Sequence, residues 1–240
     1  MITHEKGFRW RGDNVSRLEA FSDTVFGFAV SLLVVSVEVP KSFDQLMSVI
    51  YAFPAFAVCF ALLFNLWYHH YRFFRRYALQ TQQTILITAF LLFFVLFYVY
   101  PLKFLFSLVL IHGGPDIGPQ QARLLFVVYG LGYLAICAAM TLLYRHAWQL
   151  RHLLHLTPLE ELRTRHSIVT HSGLGMIGLI SALLAVTLPA HLVGLAGIFY
   201  TSIGIFLWLS GVVMGKSERA LHALQTQAEI EIERLRDQSI

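Results

Sequence analysis

The sequence predicts an all-α polytopic membrane protein with six transmembrane helices, and three observations predict it. Hydrophobic side chains make up 57% of the 240 residues and charged ones only 13%, against roughly 25% charged in soluble domains. The apolar residues fall into six runs of near-bilayer length, at 18–38, 45–69, 84–111, 121–144, 167–188 and 192–214. Lysine and arginine are dense and sparse on alternate sides of these runs, with only Lys41, Lys103 and Arg123 on the sparse side. That asymmetry is a topology signal. It places both termini in the cytoplasm, as an even number of spans requires, and accounts for the formal charge of +4 without a nucleic-acid partner.

The N-terminal segment, 1–17, is charged for too long to be a cleavable signal peptide, so the first run is expected to be retained as a helix. Backbone groups in lipid must bond within their own segment, which makes helix the default for every run. Pro40 stands just past the first run, while Pro54 and Pro101 lie inside the second and third and predict kinks. Gly113-Gly114-Pro115 and Gly118-Pro119 separate the third and fourth runs, and Pro189 the fifth and sixth. Cys59 and Cys137 fall within apolar runs, as small buried hydrophobes rather than a disulfide or metal framework. Glycines 173, 175 and 178 in the fifth run, with 194, 197 and 204 in the sixth, suit close helix packing. Residues 18–215 thus read as one six-helix domain with no room for a separate soluble catalytic domain. The cytoplasmic tail, 216–240, is polar with an apolar stripe at Leu221, Leu224, Ala228, Ile232 and Leu235. That stripe suits either self-association or a solvated amphipathic helix.

Polar residues gather where the first two spans meet the cytoplasm. An ionisable side chain inside a span needs a partner, a protein-facing position or a wet cavity, so Asp23 needs an explanation. Arg17 is six residues earlier, about 240° around the helix, and does not share its face. Trp67 and His70, three apart near the end of the second span, share a face there and can present an indole N–H and an imidazole to Asp23 or Ser22. Interfacial aromatics and snorkelling bases are the simpler account of Tyr68, Tyr71 and Arg72.

Arg17-x-x-x-Phe21-Ser22-Asp23 opening the first of six spans, followed by Trp67-x-x-His70 in the second, resembles the single-repeat prokaryotic branch of the transmembrane protein 175 potassium channel family. The resemblance implies a homotetramer of six-helix subunits in a prokaryotic plasma membrane. The first helix of each subunit would line a potassium-permeable pore, with Arg17, Phe21, Ser22, Asp23, Trp67 and His70 as a polar packing network behind it. The family does not use the carbonyl filter of ordinary potassium channels, and no TVGYG-like loop occurs in this sequence.

The residues themselves offer a pore face. Thr24, Phe28, Ser31, Val35 and Glu38 follow at four-, three-, four- and three-residue spacing. Around a symmetry axis this stripe gives an acidic mouth at Glu38, a hydroxyl ring at Ser31 and hydrophobic rings at Phe28 and Val35 that gate by dewetting. Ordinary helix packing would use the same pattern. Family members usually carry Ile or Leu about five residues after the aspartate, where this chain has Phe28. That difference opens the narrowest ring to Phe28, Leu32 or Val35.

Two other classes compete. A membrane metalloenzyme would use histidines such as His152 and His155, but the HxxxH and HxxHH repetition is missing, so no metal and no cofactor are expected. A proton- or ion-coupled secondary transporter would show repeated halves and acids near mid-span, and neither is found.

Overall fold

A computed structural model describes residues 4–5, 7–12, 14–35, 39–110 and 117–237. A two-stranded hairpin, β1 (His4–Glu5) and β2 (Phe8–Arg9), precedes α1 (Arg17–Val35), α2 (Phe43–Tyr77), α3 (Gln82–Leu110), α4 (Pro119–Gln149) and α5 (Pro158–Thr187). A broken stretch follows: a 3-10 turn at Ala190–Leu192, the short α6 (Gly194–Ile198) and a second 3-10 turn at Phe199–Thr201. It leads into α7 (Ser202–Asp237). Six stretches are long and apolar enough to cross a membrane, the last being Ala190–Ala228. Phe53, Phe93, Phe97 and Trp208 are exposed on the bundle, as a lipid-covered surface permits.

Several helices outrun the apolar runs. α2 continues to Tyr77, eight residues beyond 69, and stops where Ala78 turns left-handed (φ 50°) and donates its N–H to Phe74 O at 2.8 Å. α5 begins at Pro158 rather than 167 because Thr157 and Glu160 form a reciprocal cap. Thr157 Oγ1 accepts the Glu160 N–H at 3.3 Å, and the Glu160 carboxylate accepts the Thr157 N–H at 3.0 Å. α7 passes residue 216 without interruption, so the sixth span and the tail share one helix. Leu224 and Leu235 are exposed on it, and the side chain of Ile232 lies outside the described residues.

The centre is the α4–α5 pair. A Cβ on Gly130 would collide with Gly178 O, and one on Gly178 would stand 2.9 Å from Gly130 O, so bare backbone on both sides lets the helices touch. α3 packs on α4, where Gly132 makes room for the Tyr98 ring and Tyr98 Oη donates to Tyr129 O at 3.0 Å. Near Pro101, the Leu105 N–H donates to Tyr129 Oη at 3.3 Å. α1 lies against α3 and α2.

The N-terminal segment straps one end of the bundle. Phe8 is fully buried against Tyr77, with the Arg76 guanidinium over its ring at 4.7 Å. Arg11 grips the Glu160 carboxylate with both terminal nitrogens, at 2.7 and 3.1 Å, and donates from Nε to Leu154 O at 3.1 Å. Its own N–H reaches Arg75 O at 3.0 Å. Burial raises the pKa of Glu160, which lies before the 167–188 stretch. The Arg11 hydrogen bonds and the N–H groups of Thr157 and Arg9 outweigh that burial and hold the carboxyl below the ordinary glutamate value.

Candidate pore helix

α1 has two faces. Ser16 and Glu19 start it with a reciprocal cap, Ser16 N–H to Glu19 Oε2 at 2.9 Å and Glu19 N–H to Ser16 Oγ at 3.2 Å. Glu19, Ser22, Phe26, Ala29 and Leu33 recur every three or four residues and are buried against the rest of the fold. Thr24, Phe28, Ser31 and Val35 point the other way and are exposed, Phe28 by 56% and Val35 by 76%, while Leu32 is half-buried at the border. Glu38 lies outside the described residues.

The hydroxyls of the outer face are already oriented. Thr24 Oγ1 donates to Ala20 O at 2.9 Å and Ser31 Oγ to Gly27 O at 3.0 Å. Each hydroxyl hydrogen is spent on the helix backbone, so the exposed feature at both positions is oxygen lone pairs, the polarity that suits a cation. A Cβ on Gly27 would meet nothing within 4 Å, which leaves this face of α1 bare within the subunit.

The residues expected behind the pore separate into two groups. Trp67 Nε1 donates to Asp23 Oδ1 at 2.7 Å, joining α2 to α1. Ser22 is buried and donates to Leu18 O at 2.7 Å. His70 is also buried, but its ring packs between Phe26 (centroids 5.6 Å apart) and Phe74 (4.8 Å), and its Nε2 has no partner among the described residues. The imidazole therefore serves the aromatic packing behind α1 rather than Asp23. Arg17 and Phe21 are exposed in the single subunit.

Sequence reasoning missed an aromatic ladder. Phe53, Phe56, Phe60, Phe64, Trp67 and Tyr71 line α2 with successive ring centroids 5.2–6.3 Å apart, and the indole that holds Asp23 is its fifth rung. The signal was present as aromatics every three or four residues. The histidines gather no metal site: among the described residues no three His, Cys, Asp or Glu side chains could hold an ion together. His171 instead stacks on Tyr144 and meets His69 edge-on.

Six apolar helices around a glycine and tyrosine core, with a hydroxyl-bearing first helix packed on one face alone, define an integral membrane protein. Residues 17–98 match the family model of the endosomal/lysosomal potassium channel TMEM175. A potassium channel of Marivirga tractuosa is 37% identical over 195 residues, covering 76% of this chain and 79% of the relative. The crystal structure of a variant of the potassium channel MtTMEM175, bound to a nanobody–MBP fusion, aligns with a TM-score of 0.79 at 34% identity, over 90% of this chain and all of that one. A lysosomal potassium-selective channel TMEM175 homolog from Chamaesiphon minutus gives a TM-score of 0.56 at 27% identity, over 81% of this chain and 96% of its own. The chain belongs to the TMEM175 potassium channel family, whose members are channels rather than enzymes.

Proposed function

We propose that the chain conducts potassium passively down its gradient as a homotetramer, with α1 of each subunit around a central axis. The observation that carries this reading is the division of α1. One face is buried against α2 and α3, and the other leaves Thr24, Phe28, Ser31 and Val35 without cover in the subunit. Four copies of this uncovered face around an axis would alternate rings of hydroxyl oxygens with rings of bulky apolar groups, which is the lining of a cation pore. Relatives described as potassium channels supply the ion.

In this reading Thr24 and Ser31 offer oxygen rings that replace part of a cation's hydration. Phe28, Leu32 and Val35 form apolar rings that empty of water when closed. Glu38 concentrates cations at the outer mouth. The Asp23–Trp67 hydrogen bond, with Ser22 and His70 behind it, holds α1 at the angle the axis requires, and Arg17 and Phe21 meet neighbouring subunits. The domain is 18–215, flanked by cytoplasmic segments 1–17 and 216–240. The excess of basic residues on one side of the spans supports cytoplasmic termini, and the prokaryotic relatives support a prokaryotic plasma membrane.

The test is flux from purified protein in liposomes under a potassium gradient, repeated with sodium, with subunit stoichiometry measured on the same sample. Passive flux that favours potassium, from a tetramer, is the expected result. No flux, or flux only with a coupled proton or substrate gradient, would replace the channel with a transporter.

A further inference from the structure

The turn between α4 and α5 carries charge that ion conduction does not use. Arg151, just past α4, and Arg165, in the second turn of α5, both place their guanidinium carbons over the Trp148 ring, at 4.9 and 5.5 Å. Arg151 Nη1 also donates to Trp148 O at 3.2 Å, which fixes its head beside the indole. Arg145, three residues before Trp148 on α4, is exposed. Among the described residues none of these three arginines forms an ion pair. Of the two carboxylates nearest in sequence, Glu160 is taken by Arg11, and Glu161 forms no ion pair among the described residues.

Gathering like charges on one ring is unfavourable, and the negative face of the indole offsets only part of the repulsion. An anion bound beside the guanidiniums would offset it. The bilayer identifies the anion. Trp148 stands four residues past the apolar run that ends at 144, and Arg165 two before the run that starts at 167, so both lie at headgroup depth. Leu153, in the same turn, is 73% exposed, an apolar group available to the acyl boundary.

We propose that Arg145, Trp148, Arg151 and Arg165 form a binding site for the phosphodiester of an anionic phospholipid in the leaflet at this end of the bundle. The planar guanidiniums pair with phosphate oxygens, and the indole supports the glycerol region. A choline headgroup would bring its ammonium against the same guanidiniums, so the site selects phosphatidylglycerol over phosphatidylcholine. The site does not depend on conduction.

Purified full-length protein in detergent is titrated with each of these lipids, and bound lipid is counted by native mass spectrometry. Wild type is expected to retain phosphatidylglycerol preferentially. R151Q/R165Q should lose that affinity roughly thirtyfold, as two basic residues at an anionic surface imply, with phosphatidylcholine unchanged. R165Q alone changes an exposed side chain, and it should lose about fivefold. Undiminished phosphatidylglycerol in these variants, or an equal loss of both lipids, overturns the proposal. So does displacement of the lipid by millimolar inorganic phosphate, which assigns the arginines to a free anion. Binding seen only in E229Q/E231Q/E233Q would assign them to the acidic tail of another copy.

Discussion

Trp67 and Asp23, forty-four residues apart in sequence, are joined by a 2.7 Å hydrogen bond from the indole nitrogen to the carboxylate, which pins α1 to α2. Trp67→Phe keeps the ring in the aromatic ladder and removes the donor, so the change isolates this bond. Hydrogen bonds to charged groups contribute about 1.5–3 kcal/mol. A loss of that order is expected in the thermal stability of the detergent-solubilised protein, with reduced potassium flux. Asp23→Asn keeps an acceptor but loses the charge, and should fall between the two. Wild-type assembly and conduction in both variants would remove this contact from the network.

Phe28 is exposed on the bare face of α1, and in a tetramer its ring would meet three copies of itself. Phe28→Ala should raise potassium flux in liposomes, because it removes the bulkiest apolar ring from the stripe. Unchanged flux with normal assembly would move the constriction to Leu32 or Val35.

Arg11→Ala leaves the carboxylate of Glu160 buried without its cation, and breaking such a pair costs about 3–5 kcal/mol. The expected result is a lower melting temperature and easier proteolysis of residues 1–12, measured on the purified protein. The same contact sets a pH dependence. Glu160 titrates below the ordinary glutamate value of 4.5, so the stabilisation is complete above that value and is lost as pH falls through the lower folded pKa. In Glu160→Gln that acid-side loss should shrink.

Gly130 and Gly178 touch backbone to backbone, and no rotamer of a larger side chain relieves a clash that begins at Cβ. Gly130→Val should therefore prevent recovery of folded protein by size-exclusion chromatography. Gly204→Ala, where a Cβ meets nothing, should be tolerated. Equal yields of the two would contradict the close approach.

Hydropathy located the helices because each span must bring its own apolar length, and it failed at their ends for the same reason. Helical hydrogen bonding continues past the lipid wherever a cap allows, as at Ala78 and at Thr157. The Thr157-Pro158-Leu159-Glu160 capping sequence was there to be read. Its glutamate was not legible as the anchor of Arg11, which lies 149 residues away with no periodicity to link them. The face of α1 was legible as a stripe at helical spacing. Which side is packed was not, because Phe26 and Phe28 look alike in sequence and only the positions of α2 and α3 distinguish them. His70 was misdirected for a similar reason: polarity suggested Asp23 or Ser22, while the rings of Phe26 and Phe74 decided its place.

The uninterrupted course of α7 has a mechanical consequence. Thirty-six residues without a break make a rod about 54 Å long, braced on α5 by the Arg163–Glu218 ion pair at 2.7 Å and the Thr170–Ser210 contact at 3.1 Å. A rod of that length is a lever. The part beyond Glu218, about 28 Å long, is free of that brace, so a tilt of about 10° there sweeps its end through about 5 Å, and a small rearrangement among the spans becomes a larger displacement where the tail ends.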